Sequence, residues 1–511
     1  MPGTSAPSIP ALFRGAVDDA GGSTWLLAGD RTWTYGEALG AIERLAAGCR
    51  AAGVGRGDRV LVTPRSEPEF LLLWLALMEL GAVQVAIDPR ASAAELAGFL
   101  AQVEPQAVVT DAGLAPAVRA AAADVGGGAP VLDVADLAAA DADGAGPAAV
   151  GPDDVAVMIP TSGTTGRSKL VMQTHRAYVM AGEGFPWWMG LGADDRLMTA
   201  LPLFHINAPA YSALGSVAAR AGLVLLPRFS ASGFLDAARR YGATEFNAIG
   251  AMLEILMRQP PRPDDADTPL RLCYTGPSPE RARQEEMEAR FGLEIVCGYG
   301  LSESPYGLVW PKGTRPFGAL GAARQHPTLG HVNDARVRDP DADGVGELEL
   351  RNPVIMRGYY GMPEETAAVV VDGWLRTGDL VHDDGDGIYT FVGRRKEVIR
   401  RRGENLSPTE VEAAAERHAG VAEAAVVGVP SELSEEEVKA FVVPADGAAL
   451  DVAALDGFLR TQLTRFKVPR YYEVVDELPH TPTGRLAKHR LPAERTPGEV
   501  DMEAEEEEGS S

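Results

Sequence analysis

The stretch Ile159-Pro160-Thr161-Ser162-Gly163-Thr164-Thr165-Gly166-Arg167-Ser168-Lys169 separates two apolar runs, Val155 to Ile159 and Leu170 to Met172. From Pro160 to Lys169 there is no large apolar side chain, which predicts a strand, an exposed loop and a second strand. Gly163 and Gly166 let backbone N–H groups turn toward an anion, and the hydroxyls of Thr161, Ser162, Thr164 and Thr165 add neutral donors. Arg167 and Lys169 bring positive charge. A loop so equipped wraps phosphates. It is not the Walker type, because Lys169 follows Gly166 by three positions rather than one. Taken alone, it also reads as a plain polar hairpin loop.

The 511 residues are enough for two or more domains, and 46% apolar with 23% charged residues suits a soluble globular enzyme. A net charge of -25 argues against a nucleic-acid partner. Cys49, Cys273 and Cys297 are few and scattered, so neither a disulfide framework nor a zinc site is expected. Met1 to Pro10 lacks the pattern of a signal peptide, and the most apolar helix, Phe70 to Leu80, is too short to span a bilayer. The expectation is a cytoplasmic protein without a membrane span.

Outward from the loop, helices alternate with short β-rich runs. Thr34-Tyr35-Gly36-Glu37 and Ser92-Ala93-Ala94-Glu95 read as capping boxes. Arg59 to Val62, Ala82 to Ile87 and Ala107 to Thr110 read as buried strands, which indicates parallel α/β layers. Ala135 to Pro152 reads as a surface connection. A second α/β unit runs through Leu197–Leu201, Leu223–Leu226, Glu245–Ile249, Arg271–Thr275 and Glu294–Cys297. From Gly346 the character is β. After Arg394 a smaller α+β unit follows, and the acidic end is expected to be disordered.

Three further stretches carry chemistry. In Gly298-Tyr299-Gly300-Leu301-Ser302-Glu303-Ser304 a carboxylate follows a Gly-rich strand end, where it can hold a magnesium ion that bridges phosphates. In Gly373-Trp374-Leu375-Arg376-Thr377-Gly378-Asp379-Leu380, one carboxylate can accept from both ribose hydroxyls. Six basic residues, Arg394, Arg395, Lys396, Arg400, Arg401 and Arg402, fall within nine positions of an acidic chain. Alone these are a capped turn, a Gly-Asp turn and a solvated face.

In this order the stretches resemble the signature motifs of the adenylate-forming superfamily: acyl-CoA synthetases, peptide-synthetase adenylation domains and luciferases. Thr-Ser-Gly-Thr-Thr-Gly-x-x-Lys resembles its phosphate loop. Tyr299 to Glu303 resembles its Tyr-Gly-x-Thr-Glu motif, with Ser302 in place of Thr, and Trp374 to Asp379 its Trp-x-x-Thr-Gly-Asp motif. Leu201-Pro202-Leu203-Phe204-His205 is similar to the segment that gates the acid pocket. The resemblance covers about residues 10 to 493 and looks most like the carnitine/crotonobetaine-CoA ligase and fatty-acyl-CoA synthetase branch.

The resemblance implies an α/β fold: a large N-terminal domain of layered α/β subdomains plus a β subdomain (1–393), and a small mobile C-terminal α+β domain (394–495). Lys396 would be the hinge, and 496–511 a disordered acidic tail. It implies ATP, Mg²⁺ and coenzyme A. Thr161, Ser162, Gly163, Thr164, Thr165, Gly166 and Lys169 would handle phosphates, and Gly276, Pro277, Ser278, Tyr299, Gly300 and Ser302 the adenine side. Asp379 and Arg394 would meet ribose or phosphate, and Glu303 the metal. Phe204, His205, Gly250, Ala251, Met252 and Gly298 would line the acid pocket, with Trp187, Trp188 and Cys297 as further wall candidates. His205 is placed in the reacting centre as a wall, not a proton carrier. The loop around Gly403 would border the pantetheine tunnel, with Arg400, Arg401 and Arg402 toward the coenzyme's phosphates.

One motif departs from the family. In His480-Thr481-Pro482-Thr483-Gly484-Arg485-Leu486-Ala487-Lys488 the catalytic lysine falls on Arg485. Arg keeps the charge but spreads it over a planar fork. The expected reaction is activation of a small-molecule acid as an acyl-adenylate, then transfer to coenzyme A. The alternatives are a carrier-protein thiol as acceptor, a diazotase using nitrite and an aromatic amine, or a non-catalytic nucleotide-binding module. Homo-oligomer formation is left open.

Overall fold

The computed structural model describes residues 5–126, 128–142, 144–161, 168–276, 278–279, 281–340, 344–394, 399–406, 408–431, 435–445, 450–479, 488 and 491–503. In one sheet the strands Val131–Asp133, Ala107–Thr110, Arg59–Val62, Val83–Ala86 and Val155–Thr161 run parallel. Lys169–Thr174 then pairs antiparallel with Val155–Thr161, closing the hairpin that the apolar runs predict.

The second sheet is longer. Its parallel part orders Thr24–Ala28, Gly222–Leu225, Arg196–Thr199, Glu245–Asn247, Leu272–Thr275 and Glu294–Leu301. Beyond Glu294–Leu301 the pairing becomes antiparallel, through Ser304–Val309, Ala319–Ala323, Tyr389–Arg394, Trp374–Asp383, Val345–Arg351 and Asp334–Arg338. Glu294–Leu301 pairs one way along its first half and the other way along its second. Glu294–Leu301 is thus the switch strand, where parallel pairing gives way to antiparallel.

Between the sheets lie the helices Pro68–Leu80 and His175–Met189. No residue from Phe70 to Leu80 is more than 5% exposed, as expected of a helix apolar all round. Its leucines share one core with Val60 and Val157 of the first sheet and Leu197 and Val224 of the second. Each such leucine contributes about 1.5–3 kcal/mol through burial. Both capping boxes form: Thr34 and Glu37 open Tyr35–Ala51, and Ser92 and Glu95 open Ala93–Val103.

The C-terminal part holds the hairpin Ile399–Arg401/Glu404–Leu406, the helices Pro408–Ala415 and Val452–Gln462, and a sheet ordered Val421–Pro430, Glu436–Pro444, Tyr471–Val474, Val500–Asp501. It docks on the start of Ala93–Val103. Lys467 Nζ lies 2.8 Å from both Glu95 and Glu410, Thr464 Oγ1 donates to Glu95 at 2.6 Å, and Ser92 Oγ donates to Gln462 O at 3.0 Å.

Three expectations change. The tail does not begin at 496: Val500–Asp501 pairs with Tyr471–Val474, and Met502 enters the C-terminal core. The acidic residues there have cationic partners far away in sequence. Glu499 meets Lys439 at 2.9 Å, Asp501 meets Arg470 at 2.9 Å, and Glu503 meets Arg402 at 2.8 Å. Residues 504–511 lie outside the described residues. Arg394, expected to open the C-terminal domain, ends a strand whose backbone pairs with Asp379. The connection expected from Ala135 begins inside a short helix, Val134–Ala138.

Candidate active site

Thr161 and Lys169 face each other at the mouth of the phosphate-loop hairpin. The loop itself, Ser162 to Arg167, lies outside the described residues, as do Pro277, Lys396 and Arg485. Lys169 Nζ stands 4.4 Å from the ring centroid of Tyr359, and Tyr359 Oη donates to Glu303 Oε1 at 2.8 Å. These three side chains come from separate strands and a turn. Burial pushes the Glu303 carboxyl above the usual range, with the Tyr359 hydrogen bond and the Lys169 charge opposing. Gln173, buried in the hairpin, donates to Ser302 O at 2.5 Å and so fixes the turn before Glu303. Among the described residues no three His, Cys, Asp or Glu side chains form a metal cage. One hard carboxylate still fits a magnesium ion that keeps water and takes phosphate oxygens as its other ligands.

On the other side of the turn, Tyr299 Oη donates to Asp379 Oδ2 at 2.5 Å. Asp379 is held by its surroundings: its N–H donates to Thr377 Oγ1 at 3.1 Å, and Thr377 Oγ1 donates to Leu348 O at 2.7 Å. Gly276 ends Leu272–Thr275 against the neighbouring strand, where a Cβ would lie 2.4 Å from Gly298 O. Ser278 Oγ accepts from Gly318 N at 3.1 Å, which anchors the turn expected at the adenine edge. Gly276, Ser278, Tyr299, Gly300, Ser302, Glu303 and Asp379 thus cluster around the switch strand. The backbone of Arg394 reaches the same place through its pairing with Asp379.

The acid-side residues gather where the two parts of the chain meet. The His205 ring is tilted against that of Phe204, centroids 4.6 Å apart, with Nε2 3.9 Å from Glu404 Oε2. Burial holds the imidazole below its ordinary value, Glu404 and Asp88 only partly opposing, which favours the neutral ring. Arg90 Nη2 donates to the same Glu404 at 2.8 Å. Gly250, Ala251 and Met252 open the helix Gly250–Arg258, and the preceding Ile249 packs on Gly403, where a Cβ would lie 2.3 Å from Ile249 Cδ1 and φ is 80°. Gly403 permits both the turn and the contact.

Other assignments move. Arg401 does not face a coenzyme: it is buried, 2.7 Å from Glu437, and donates to the carbonyls of Phe466 and Val468. Arg402 meets Glu503. Trp187 is 43% exposed with Lys312 over its ring, so it is no pocket wall. Trp188 and Cys297 are buried, Trp188 Nε1 donating to Gln325 O at 2.8 Å. Lys488 meets Glu412 at 2.5 Å.

Two polar features were missed. Asn247 Nδ2, at the end of Glu245–Asn247, donates to Asn207 Oδ1 at 2.6 Å, while Asn247 Oδ1 is buried without a partner among the described residues. Arg324 is wholly buried beside the switch strand. A charge straight after Ala319-Leu320-Gly321-Ala322-Ala323 was the available signal.

Residues 13–360 match the family described as AMP-binding enzyme, and residues 410–485 match the AMP-binding enzyme C-terminal domain. The chain belongs to this adenylate-forming family. Among curated relatives it is 32% identical over 488 residues to the crotonobetaine/carnitine–CoA ligase of Salmonella heidelberg (strain SL476), covering 90% of this chain and 93% of that one. Among solved structures it resembles o-succinylbenzoate CoA synthetase (MenE) from Bacillus subtilis. Against a double mutant bound with its product analogue OSB-NCoA, the TM-score is 0.85 at 25% identity, covering 96% of this chain and 98% of that one. Against the same enzyme in complex with AMP, the coverage and identity are unchanged and the TM-score is 0.69.

Proposed function

We propose that the chain is an ATP-dependent acid–thiol ligase, which activates a carboxylic acid as an acyl-adenylate with release of pyrophosphate and transfers the acyl group to coenzyme A. The observation that carries this reading is the position of Glu303. It stands between Lys169 and Tyr359 at the mouth of the phosphate loop and the Tyr299–Asp379 pair. Asp379 would hold the ribose, Tyr299 would flank the adenine, and Lys169 with the loop donors would meet the phosphates. A magnesium ion held by Glu303 would supply positive charge to the phosphate oxygens. An acid oxygen attacks the α-phosphorus, the bond to pyrophosphate breaks, and donors fixed in advance stabilise the added charge. His205, neutral and near Glu404, would shape the acid's entrance.

The acceptor half of the reading is supported by the better superposition on the structure holding a coenzyme product analogue. In this arrangement the Gly403 turn and Glu404 approach Ile249, His205 and Arg90. A thiol arriving there would attack the acyl carbon and expel AMP. The hinge at Lys396, and Arg485 as the first-step cation, belong to the same proposal.

The test is a pyrophosphate-release screen with carboxylic acids, and with nitrite plus an aryl amine, each with and without coenzyme A. AMP, pyrophosphate and an acyl-CoA are the expected products. ADP and orthophosphate would overturn adenylation. ATP use with nitrite and an aryl amine but no acid would replace the ligase with a diazotase, and transfer only to a carrier-protein thiol would change the acceptor.

A further inference from the structure

Residues 356–360 stitch the phosphate-loop hairpin to the turn that carries Glu303. Met356 N donates to Glu303 O at 2.7 Å, while Arg357 N donates to Met172 O and Tyr360 N to Leu170 O, each at 2.9 Å. Gly358 and Tyr359 pair antiparallel with Met172 and Val171 of the hairpin. From the other side, Tyr359 N donates to Thr366 Oγ1 at 2.9 Å, and that hydroxyl donates to Met362 O at 2.8 Å. The main chain of Tyr359 is therefore fixed in two directions, and its side chain is only 6% exposed.

That side chain meets both charged groups of the phosphate side. The Lys169 ammonium stands 4.4 Å from the ring centroid, and the phenol donates to Glu303 Oε1 at 2.8 Å. A ring face attracts a cation and a phenolic O–H attracts a carboxylate, so one rigid side chain holds opposite charges at two separate points. Lys169 and Glu303 are near enough for the ammonium to favour the ionised carboxylate, yet each rests on Tyr359 and not on the other. Left to themselves, opposite charges in a buried site would close on each other. A lysine paired in that way has less charge to offer a phosphate, and a paired glutamate less to offer a cation.

We infer that Tyr359 is a positioning residue that keeps Lys169 and Glu303 from forming an ion pair, so that the ammonium stays available to the nucleotide's phosphates and the carboxylate to the metal. The inference rests on the ligase reading above, which assigns those two roles. Phenylalanine would keep the ring that carries Lys169 and lose the bond to Glu303, whereas leucine would lose both. The two substitutions therefore separate the halves of the role.

The experiment is ATP binding by calorimetry, first with EDTA and then with Mg²⁺, with melting curves to confirm folding. Wild type, Tyr359→Phe, Tyr359→Leu, Glu303→Gln and the double variant Tyr359→Leu/Glu303→Gln are compared. ATP affinity without metal reports on Lys169, and the gain on adding Mg²⁺ reports on Glu303. Tyr359→Phe should leave metal-free affinity within about twofold of wild type and cut the Mg²⁺ gain about tenfold, as expected of one lost hydrogen bond to a charged group. Tyr359→Leu should weaken metal-free binding about tenfold as well, because Lys169 then closes on Glu303. Glu303→Gln should raise metal-free affinity about tenfold more on the leucine background than on the wild-type one, a coupling that no packing role predicts. Absence of that coupling, or an unmoved Mg²⁺ gain in Tyr359→Phe, would overturn the positioning role while leaving the ligase intact. A wild type that binds no ATP would overturn both. If the leucine variants do not fold, the Mg²⁺ gain in Tyr359→Phe decides.

Discussion

The phenol of Tyr299 and the carboxylate of Asp379 meet at 2.5 Å, although they lie on separate strands of the long sheet, Tyr299 where Glu294–Leu301 has turned to antiparallel pairing with Ser304–Val309 and Asp379 on Trp374–Asp383. The contact joins the two strands that carry the proposed nucleotide residues before any ligand arrives. Asp379→Asn keeps the shape but weakens both the phenol bond and a carboxylate's grip on two ribose hydroxyls. A hydrogen bond to a charged group contributes about 1.5–3 kcal/mol, so KM for ATP should rise roughly 10- to 100-fold, and less for Tyr299→Phe. Equal effects of the two changes would place the ribose elsewhere.

Glu303→Gln removes the charge proposed to hold the metal, and pyrophosphate release should fall by about 100- to 1000-fold. Burial raises the Glu303 carboxyl, so the group is protonated at a higher pH than an ordinary glutamate. In the wild type, metal-dependent nucleotide binding should therefore weaken as pH falls through that raised value. Titration of Mg–ATP affinity between pH 4.5 and 8 should show this limb in the wild type and not in the variant.

Glu245 tests the scaffold. Both carboxyl oxygens are buried without a hydrogen-bond partner among the described residues, and burial, with the Asp195 charge adding, holds the carboxyl well above its usual range. A folded value above the unfolded one gives stability that is complete below the unfolded value and is lost as pH rises through the folded one. Glu245→Gln copies the protonated shape. Melting temperatures at pH 5 and pH 8 should show the variant gaining on the wild type as pH rises; parallel curves would count against a neutral Glu245.

Lys467 ties the C-terminal part to Glu95. Lys467→Met should loosen that docking and slow thiol transfer about tenfold, equivalent to about 1.4 kcal/mol, with less effect on adenylate formation. Single-turnover measurement of each step separates the two. Slowing of both steps alike would assign Lys467 to general stability.

Arg485 and Lys488 compete for one role. Lys488 already meets Glu412 at 2.5 Å, which argues for Arg485 as the cation that joins the acid to the α-phosphate. Arg485→Ala should abolish adenylate formation yet leave transfer from a supplied adenylate, and Arg485→Lys should recover part of the first step. A fully active Arg485→Ala beside an inactive Lys488→Ala would reverse the assignment.

What could be read in the sequence was set by distance along the chain. Thr34 with Glu37 and Ser92 with Glu95 are local partners, and both boxes form as expected. The hairpin around the phosphate loop follows from two apolar runs divided by polar residues. Glu294–Leu301 runs past the expected end at Cys297, because its second half is held by Ser304–Val309 despite the glycines. Arg401 looked like a solvated cation, since its partners Glu437 and the carbonyls of Phe466 and Val468 lie on other elements. The acidic stretch after Arg495 looked unable to fold for the same reason. Arg324 and its phenols come from three separate segments, so no local pattern announces them.

The approach of Gly276 to Gly298 O, where a Cβ would stand only 2.4 Å away, also bears on how this enzyme can acquire new substrates. A side chain at Gly276 would run into that main-chain oxygen, whereas at Gly298 the space is taken by the Tyr274 hydroxyl and the Arg324 guanidinium, so neither glycine can be enlarged without moving its neighbours. Tyr211, Tyr274 and Arg324 are buried and hydrogen-bonded together, so shortening any of them leaves a void and an unpaired polar group before it makes useful room.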